Sequence, residues 1–393
     1  MKKVILIKYG ELTTKKGNRN LFINTLYQNI KRKLKNYEVN ITKEISRMYI
    51  EFNENDLELI LSKLKNIFGL HTFHVANKVS TNEQDIKNTI INMLKQEKIK
   101  TFKVKTKRSD KNFNISSVDF SKMIGSFILN NFKKLKVDVH NPELLLNIEI
   151  RQYYSYIYTN SYRGLGGYPV GTLGRGLVML SGGIDSPVAF YLAAKRGIKL
   201  DAVYFESMPY TSLEARNKVI NLCKILTNYT DNINLYIIPF TEIQEAIYKY
   251  TDNTYAITIM RRMMYRIMEK LVKKMNYQTI INGESIGQVA SQTLTSLLVV
   301  NEVTNFPIIR PLACLDKLEI INISKKIGTY ETSILPYEDC CTIFVPKHPV
   351  INPKLTKSKI MEEKFDYEKM INQAIEKLII VKVNSEKIKN ELL

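Results

Sequence analysis

The stretch LVMLSGGIDSPVA, residues 177–189, has the residue types to hold an anion. Ser181, Gly182 and Gly183 follow an apolar run, and Asp185, Ser186 and Pro187 open a helix-forming sequence. Glycines let backbone N–H groups approach an anion closely. A helix starting near Ser186 and Pro187 would turn its positive end toward the same place. Pro187 suits the first helical position, and Gly197 suits the stop. Ser181 and Ser186 add hydroxyl donors. The stretch is not the GxxxxGK[ST] nucleotide loop, because no lysine follows its glycines.

Other chemistry-bearing residues are sparse. The chain has 4 cysteines, and their spacing suits no disulfide scaffold, which points to a reducing, cytoplasmic setting. Cys223 lies in the helical pattern VINLCKIL and reads as core, and Cys314 reads as ordinary packing. Cys340 and Cys341 are adjacent. An iron–sulfur cluster needs about three well-placed thiolates, and no CxxC is present. His71 and His74 are three apart in an extended segment and so face opposite sides, which argues against a metal pair.

These residues need elements to position them. A length of 393 residues implies two or three domains, and 45% hydrophobic content supplies a core. No apolar run is long enough for a membrane span. The start, MKKVILIKYGEL, reads as a strand rather than a signal peptide. The net charge is +20, and residues 1–162 hold 29 basic and 15 acidic side chains. The excess therefore lies mainly in the first part of the chain, as expected for a phosphate-backbone partner.

Residues 2–8 and 46–52 read as strands, and 18–35 and 55–68 as helices, the second capped by Asn55. In the first helix Leu21, Ile23, Leu26, Ile30 and Leu34 fall at helical spacing. Strand, helix, strand and helix follow to residue 132, then paired strands to about 159. Residues 163–176, RGLGGYPVGTLGRG, carry six glycines and mark a loop or linker. Beyond it apolar strands alternate with helices, the pattern of a doubly wound parallel sheet.

SGGIDS matches the SGGxDS pyrophosphate (PP) loop of the ATP pyrophosphatases, which cleave ATP between the α and β phosphates. Six further segments stand in order with it: YGELTTKKGNRNLF (9–22), GGYPVGT (166–172), RRMMYRI (261–267), NGESIGQVASQT (282–293), RPLACLDKLEI (310–320) and LPYEDCCTIFVPKHP (335–349). Together they resemble the tRNA 4-thiouridine synthetases, or tRNA sulfurtransferases, over residues 1 to about 350. The resemblance implies an α/β fold with a ferredoxin-like domain at 1–53 and a THUMP RNA-binding domain at 54–162. A glycine-rich linker at 163–175 and a PP-loop ATP-pyrophosphatase domain at 176–393 would follow.

The same resemblance assigns ATP contacts to Met179, Leu180, Ser181, Gly182, Gly183, Asp185, Ser186, Tyr204, Phe205, Arg261, Gly283 and Gln292. Many relatives have histidine where Tyr204 stands. Asp185, Lys317 and Cys340 are the implied catalytic residues, Cys340 carrying the transferred sulfur. A carboxylate beside polyphosphate implies Mg²⁺. A lysine at a helix start is electrostatically disfavoured, so function explains Lys317 better than structure does. The implied partners are tRNA, a cysteine desulfurase and a second copy in a homodimer. The chain ends at 393 without a rhodanese domain, a short form, which argues against the thiamine-thiazole role of some relatives. Another PP-loop tRNA-modifying enzyme, or a non-catalytic tRNA-binding protein, are the competing readings. The first would not need the basic N-terminal residues or Cys340. Intact SGGIDS with Asp185 and Lys317 argues against the second.

Overall fold

The computed structural model describes residues 2–14, 17–110, 113–339, 343, 346, 349–384 and 388–392. The chain divides into two units, 1–166 and 167–393. In the first, β1 (Lys2–Lys8), α1 (Arg19–Lys33), β2 (Val39–Lys43), β3 (Arg47–Phe52), α2 (Leu57–Leu64) and β4 (Thr72–Ser80) come in turn. After them come α3 (Glu83–Leu94), β5 (Thr101–Arg108), α4 (Ser117–Asn131), β6 (Lys136–Val137), β7 (Leu144–Ile150), β8 (Tyr154–Tyr158) and β9 (Tyr162–Arg163). These strands form one sheet in the order β2-β3-β1-β4-β8-β7-β5-β6, with β9 pairing to β4.

Val4, Ile5, Leu6 and Ile7 are fully buried, which is why β1 reads as a continuous apolar run. β1 lies antiparallel between β3 and β4. Ile86 and Ile90 of α3 pack with Phe120 and Ile124 of α4 on Leu146 and Ile148 of β7. Two local expectations differ from the structure. Leu21 is exposed and Phe22 takes its place in the core. Before α2, Asn53 rather than Asn55 is the cap, its side chain accepting from the Asn55 N–H at the start of a short 3₁₀ turn.

The second unit begins with β10 (Arg175–Met179), α5 (Asp185–Lys195), β11 (Lys199–Glu206), α6 (Leu213–Leu226), β12 (Asn232–Pro239), α7 (Thr241–Tyr250) and α8 (Ala256–Lys274). It continues with β13 (Thr279–Ile281), α9 (Leu294–Asn301), β14 (Ile308–Ile309), α10 (Lys317–Ile327), α11 (Tyr330–Ser333), α12 (Leu355–Glu362), α13 (Tyr367–Glu376), β15 (Ile379–Asn384) and β16 (Ile388–Leu392). The sheet order is β14-β13-β10-β11-β12-β15-β16. β14 to β12 are parallel, while β15 and β16 add an antiparallel edge. The chain runs outward from β10 through β11 to β12, then crosses back to β13 on the other side of β10. The carboxyl end of β10 is therefore a topological switch point, where open α/β sheets leave a crevice for ligand.

The glycine-rich stretch is tied down at both ends. Gly164 and Gly166 donate backbone bonds to His71 and Leu70 in the first unit, and Tyr168 and Gly171 donate to Lys195 and Gly197 in the second. Gly167 has φ +69°, and a Cβ there would sit 2.2 Å from the Lys195 carbonyl oxygen, so only glycine fits. No helix among the described residues is long and apolar enough to cross a membrane.

Candidate functional site

The loop between β10 and α5 lies at the switch point. The Ser181 N–H donates to the Ser186 hydroxyl at 2.8 Å, and the Gly183 N–H donates to the Ser181 hydroxyl at 3.3 Å. The two hydroxyls lie 3.1 Å apart. Both serines thus hold the loop's own shape. The helix starts at Asp185, so Pro187 is its third residue rather than its first, a shift within ordinary helix-boundary scatter. No side chain caps this end, leaving its N–H groups to a ligand.

Gly283, just after β13, presses against this helix start. A Cβ there would lie 2.7 Å from the Ser186 nitrogen and 2.8 Å from the Asp185 carbonyl carbon. Both contacts are to backbone, so a side chain could enter only by moving the loop.

Asp185 and Lys317, 132 positions apart, meet at 2.7 Å (Nζ to Oδ1). Lys317 is the first residue of α10, capped by a reciprocal box between Asp316 and Glu319. Those two carboxylates and Asp185 offset the cost of a cation at a helix N-terminus. The Gln288 amide donates to the other Asp185 oxygen at 3.0 Å. The pair is partly open, with 26% of the Asp185 side chain and 44% of the Lys317 side chain exposed. It remains available to a ligand.

Arg261 is not a solvated charge. Its guanidinium donates to the Ser291 carbonyl and the Glu284 carboxylate. Arg310 binds the other Glu284 oxygen at 2.6 Å. Burial pushes the Glu284 carboxyl up, but Arg261 and Arg310 outweigh it and hold it below its ordinary value. This clamp fixes the segment that carries Gly283. Tyr204 and Phe205 are buried, and the Phe205 ring packs edge-on against Phe240 at 5.2 Å. With their rings in the core, these positions present main chain rather than a stacking face to the crevice. Met179 and Leu180 lead into the loop, and the Leu180 N–H donates to Val203. The side-chain oxygens of Gln288 and Gln292 are buried without a hydrogen-bond partner among the described residues. A polar ligand would complete such groups.

A carboxylate already sits on the loop. Asp339 Oδ1 accepts the Gly182 N–H at 3.0 Å. Burial raises the Asp339 carboxyl above its ordinary value, opposed by the Gly182 N–H and the nearby Lys218 ammonium.

Family models match almost the whole chain: the ThiI ferredoxin-like domain over residues 4–73, the THUMP domain over 80–160, and Thiamine biosynthesis protein (ThiI) over 171–367. A crystal structure of a 4-thiouridine synthetase–RNA complex with bound ATP is 35% identical, with TM-score 0.90, over 98% of this chain and 100% of that one. The chain belongs to the ThiI family. The structure of PH1313 from Pyrococcus horikoshii Ot3 shares the fold at 22% identity and TM-score 0.65, over 83% of this chain and 99% of that one.

The geometry brings in residues that sequence reasoning missed. Gln288 lies inside the NGESIGQVASQT segment but carries no charge to mark it. Glu284, Arg310, Lys218 and Asp339 act through long-range pairings that no local pattern announces. Cys340 and Cys341 lie outside the described residues. Cys223 is fully buried, and burial pushes its thiol up, so it is inert core. Cys314 is exposed. His74 is buried with Nδ1 2.7 Å from the Asn160 carbonyl, and His71 faces Glu11. No group of three metal-ligating side chains occurs among the described residues.

In the first unit, a hollow is lined by Arg151, Tyr153, Tyr154 and Tyr156. Tyr153 is 71% exposed, and Lys78 lies 4.3 Å from the Tyr154 ring centre. Exposed aromatic rings among cations are what unstacked bases bind.

Proposed function

We propose that the chain is an ATP-dependent tRNA sulfurtransferase that makes 4-thiouridine at position 8 of tRNA. The observation that carries this reading is the Asp185–Lys317 pair, set on the uncapped start of α5 at the sheet's switch point. ATP would lay its phosphates on loop 181–186, against the helix N-terminus. The target uridine leaves its stack to reach the loop. Its 4-oxygen attacks the α-phosphorus, the bond to the bridging oxygen breaks, and pyrophosphate departs. Lys317 offsets the charge that develops on the phosphoryl oxygens.

The terminal sulfur of a Cys340 persulfide then attacks C4, and AMP leaves with the former 4-oxygen. A second thiol cleaves the sulfur–sulfur bond, freeing the thiolated base and leaving a disulfide for an external thiol to reduce. A cysteine desulfurase supplies the persulfide sulfur. Adenylylation is needed because an unactivated uracil oxygen leaves poorly.

Mg²⁺ suits one protein carboxylate plus phosphate oxygens better than an all-protein cage, and Asp185 is the residue that would hold it. The cation would offset phosphate charge. The basic first unit and its tyrosine hollow support tRNA binding. A tRNA substrate places the work in the cytoplasm, and a homodimer is the proposed assembly.

The test is thiolation of unmodified tRNA with ATP, Mg²⁺, a desulfurase and cysteine, read by near-ultraviolet absorbance. Wild type should make 4-thiouridine, and Cys340→Ala should release pyrophosphate without product. No product from wild type with any sulfur source would sink the reading.

A further inference from the structure

The loop that should hold phosphate is already engaged by the protein's own carboxylate. Asp339 accepts the Gly182 N–H at 3.0 Å and also faces the Gly183 N–H. Lys218, only 5% exposed, donates to the carbonyls of Leu335 and Tyr337 at 2.8 and 3.3 Å. The 335–339 stretch is therefore stapled to loop and helix by one anion and one cation. A phosphate asks for the same partners: loop N–H groups and an ammonium.

We propose that Asp339 is a positioning residue that stands in for phosphate on the loop, so that nucleotide must displace it and thereby frees the 335–339 stretch. The proposal rests on the nucleotide reading of the loop. Cys340 is the next residue in the chain. Two anions cannot share one pair of N–H groups. Displacement also leaves the Lys218 ammonium facing the incoming phosphates.

The experiment compares ATP affinity, by calorimetry, in wild type, Asp339→Ala and Asp339→Asn. A built-in competitor lowers apparent affinity by the fraction of protein it leaves open, so Asp339→Ala should bind ATP about fivefold to tenfold more tightly. Asp339→Asn keeps the shape but loses the charge, and should fall between the two. Simple structural damage would weaken binding instead. Both variants should release pyrophosphate but form less 4-thiouridine per pyrophosphate. In wild type, amide exchange in the 335–339 stretch should speed up when ATP is added. Unchanged or weaker ATP binding by both variants, on a wild type that binds, would overturn the stand-in alone. Slowed exchange with ATP would do the same. No ATP binding by any of the three proteins would overturn the nucleotide reading and the stand-in together.

Discussion

The two units each hold a conspicuous charge cluster, built on opposite principles. In the first, Glu149 is 2% exposed and receives Arg47 Nε at 3.1 Å and the Tyr158 hydroxyl at 3.0 Å. Lys8 and Arg151 stand 3.4 and 3.7 Å from the same carboxylate. These residues come from β1, β3, β7, β8 and the turn after β7, so the cluster ties together strands on both sides of β4. In the second unit Asp185 and Lys317 form a simple, partly exposed pair at a strand end. The Glu149 carboxylate is enclosed by its own partners. The Asp185–Lys317 pair stays within reach of solvent. Burial and enclosure, not the count of charges, set the two clusters apart.

The sharpest way to break this comparison is to remove each carboxylate in turn. Asp185→Ala should lower pyrophosphate release and thiolation about a thousandfold, in line with loss of one preorganised electrostatic group. Its melting temperature should hardly move, because exposed pairs contribute little. Glu149→Ala should do the reverse. Removing one partner from a buried ion cluster costs about 3–5 kcal/mol, readable by denaturant unfolding of the first unit, while ATP binding persists. If Asp185→Ala unfolds the chain, or Glu149→Ala leaves it stable, the distinction fails.

The buried cluster also predicts a pH response. Burial pushes the Glu149 carboxyl up, but Arg47, Lys8 and Tyr158 outweigh it and hold it below its ordinary value. A depressed carboxylate stabilises the fold fully above its unfolded pKa, and that stability drains away as pH falls through the folded value. Wild type should therefore lose stability on acidification below the ordinary carboxylate range more steeply than Glu149→Gln. Parallel pH profiles would count against the cluster.

Gly283→Ala tests close approach rather than charge. Its Cβ would meet backbone at 2.7 Å, so the loop must shift. Shifts near 1 Å cost about a hundredfold in rate. Adenylylation should fall by that order, with a raised KM for ATP and an unchanged fold by circular dichroism. Wild-type kinetics would show that the loop tolerates the shift.

Sequence reading succeeded where chemistry and fold share one local signal. The apolar run, two glycines and a helix start in 177–189 state the strand–turn–helix that the structure shows. Lys317 came from the family resemblance, with its place at a helix start as support. β2 escaped notice because its apolar alternation is only two residues deep, Val39 and Ile41, and neither is fully buried. α7 and α9 were also unread, α9 because its short apolar stretch LTSLLVVN has no clear helical face. Asp339 could not be found this way at all. Its partner lies 157 positions away, and an acidic residue beside cysteines carries no hint of the loop it touches.

The smallest expected effect concerns the exposed tyrosines of the first unit. Tyr153 is exposed beside Arg151, and Tyr154 lies under Lys78. One stacked base is worth about 1–3 kcal/mol, and the lower end applies to a hollow this open. Tyr153→Ala should weaken tRNA binding about fivefold while leaving ATP binding alone. Lys78→Ala should weaken it less and flatten its salt dependence, because it removes one cation from the counterion exchange. Filter binding across a salt series separates the two, since stacking is far less salt-sensitive than charge. A Tyr153→Ala loss that vanished at high salt would mean the ring acts only by holding Arg151 in place. An unchanged affinity in both variants would move the RNA-binding face elsewhere on the first unit.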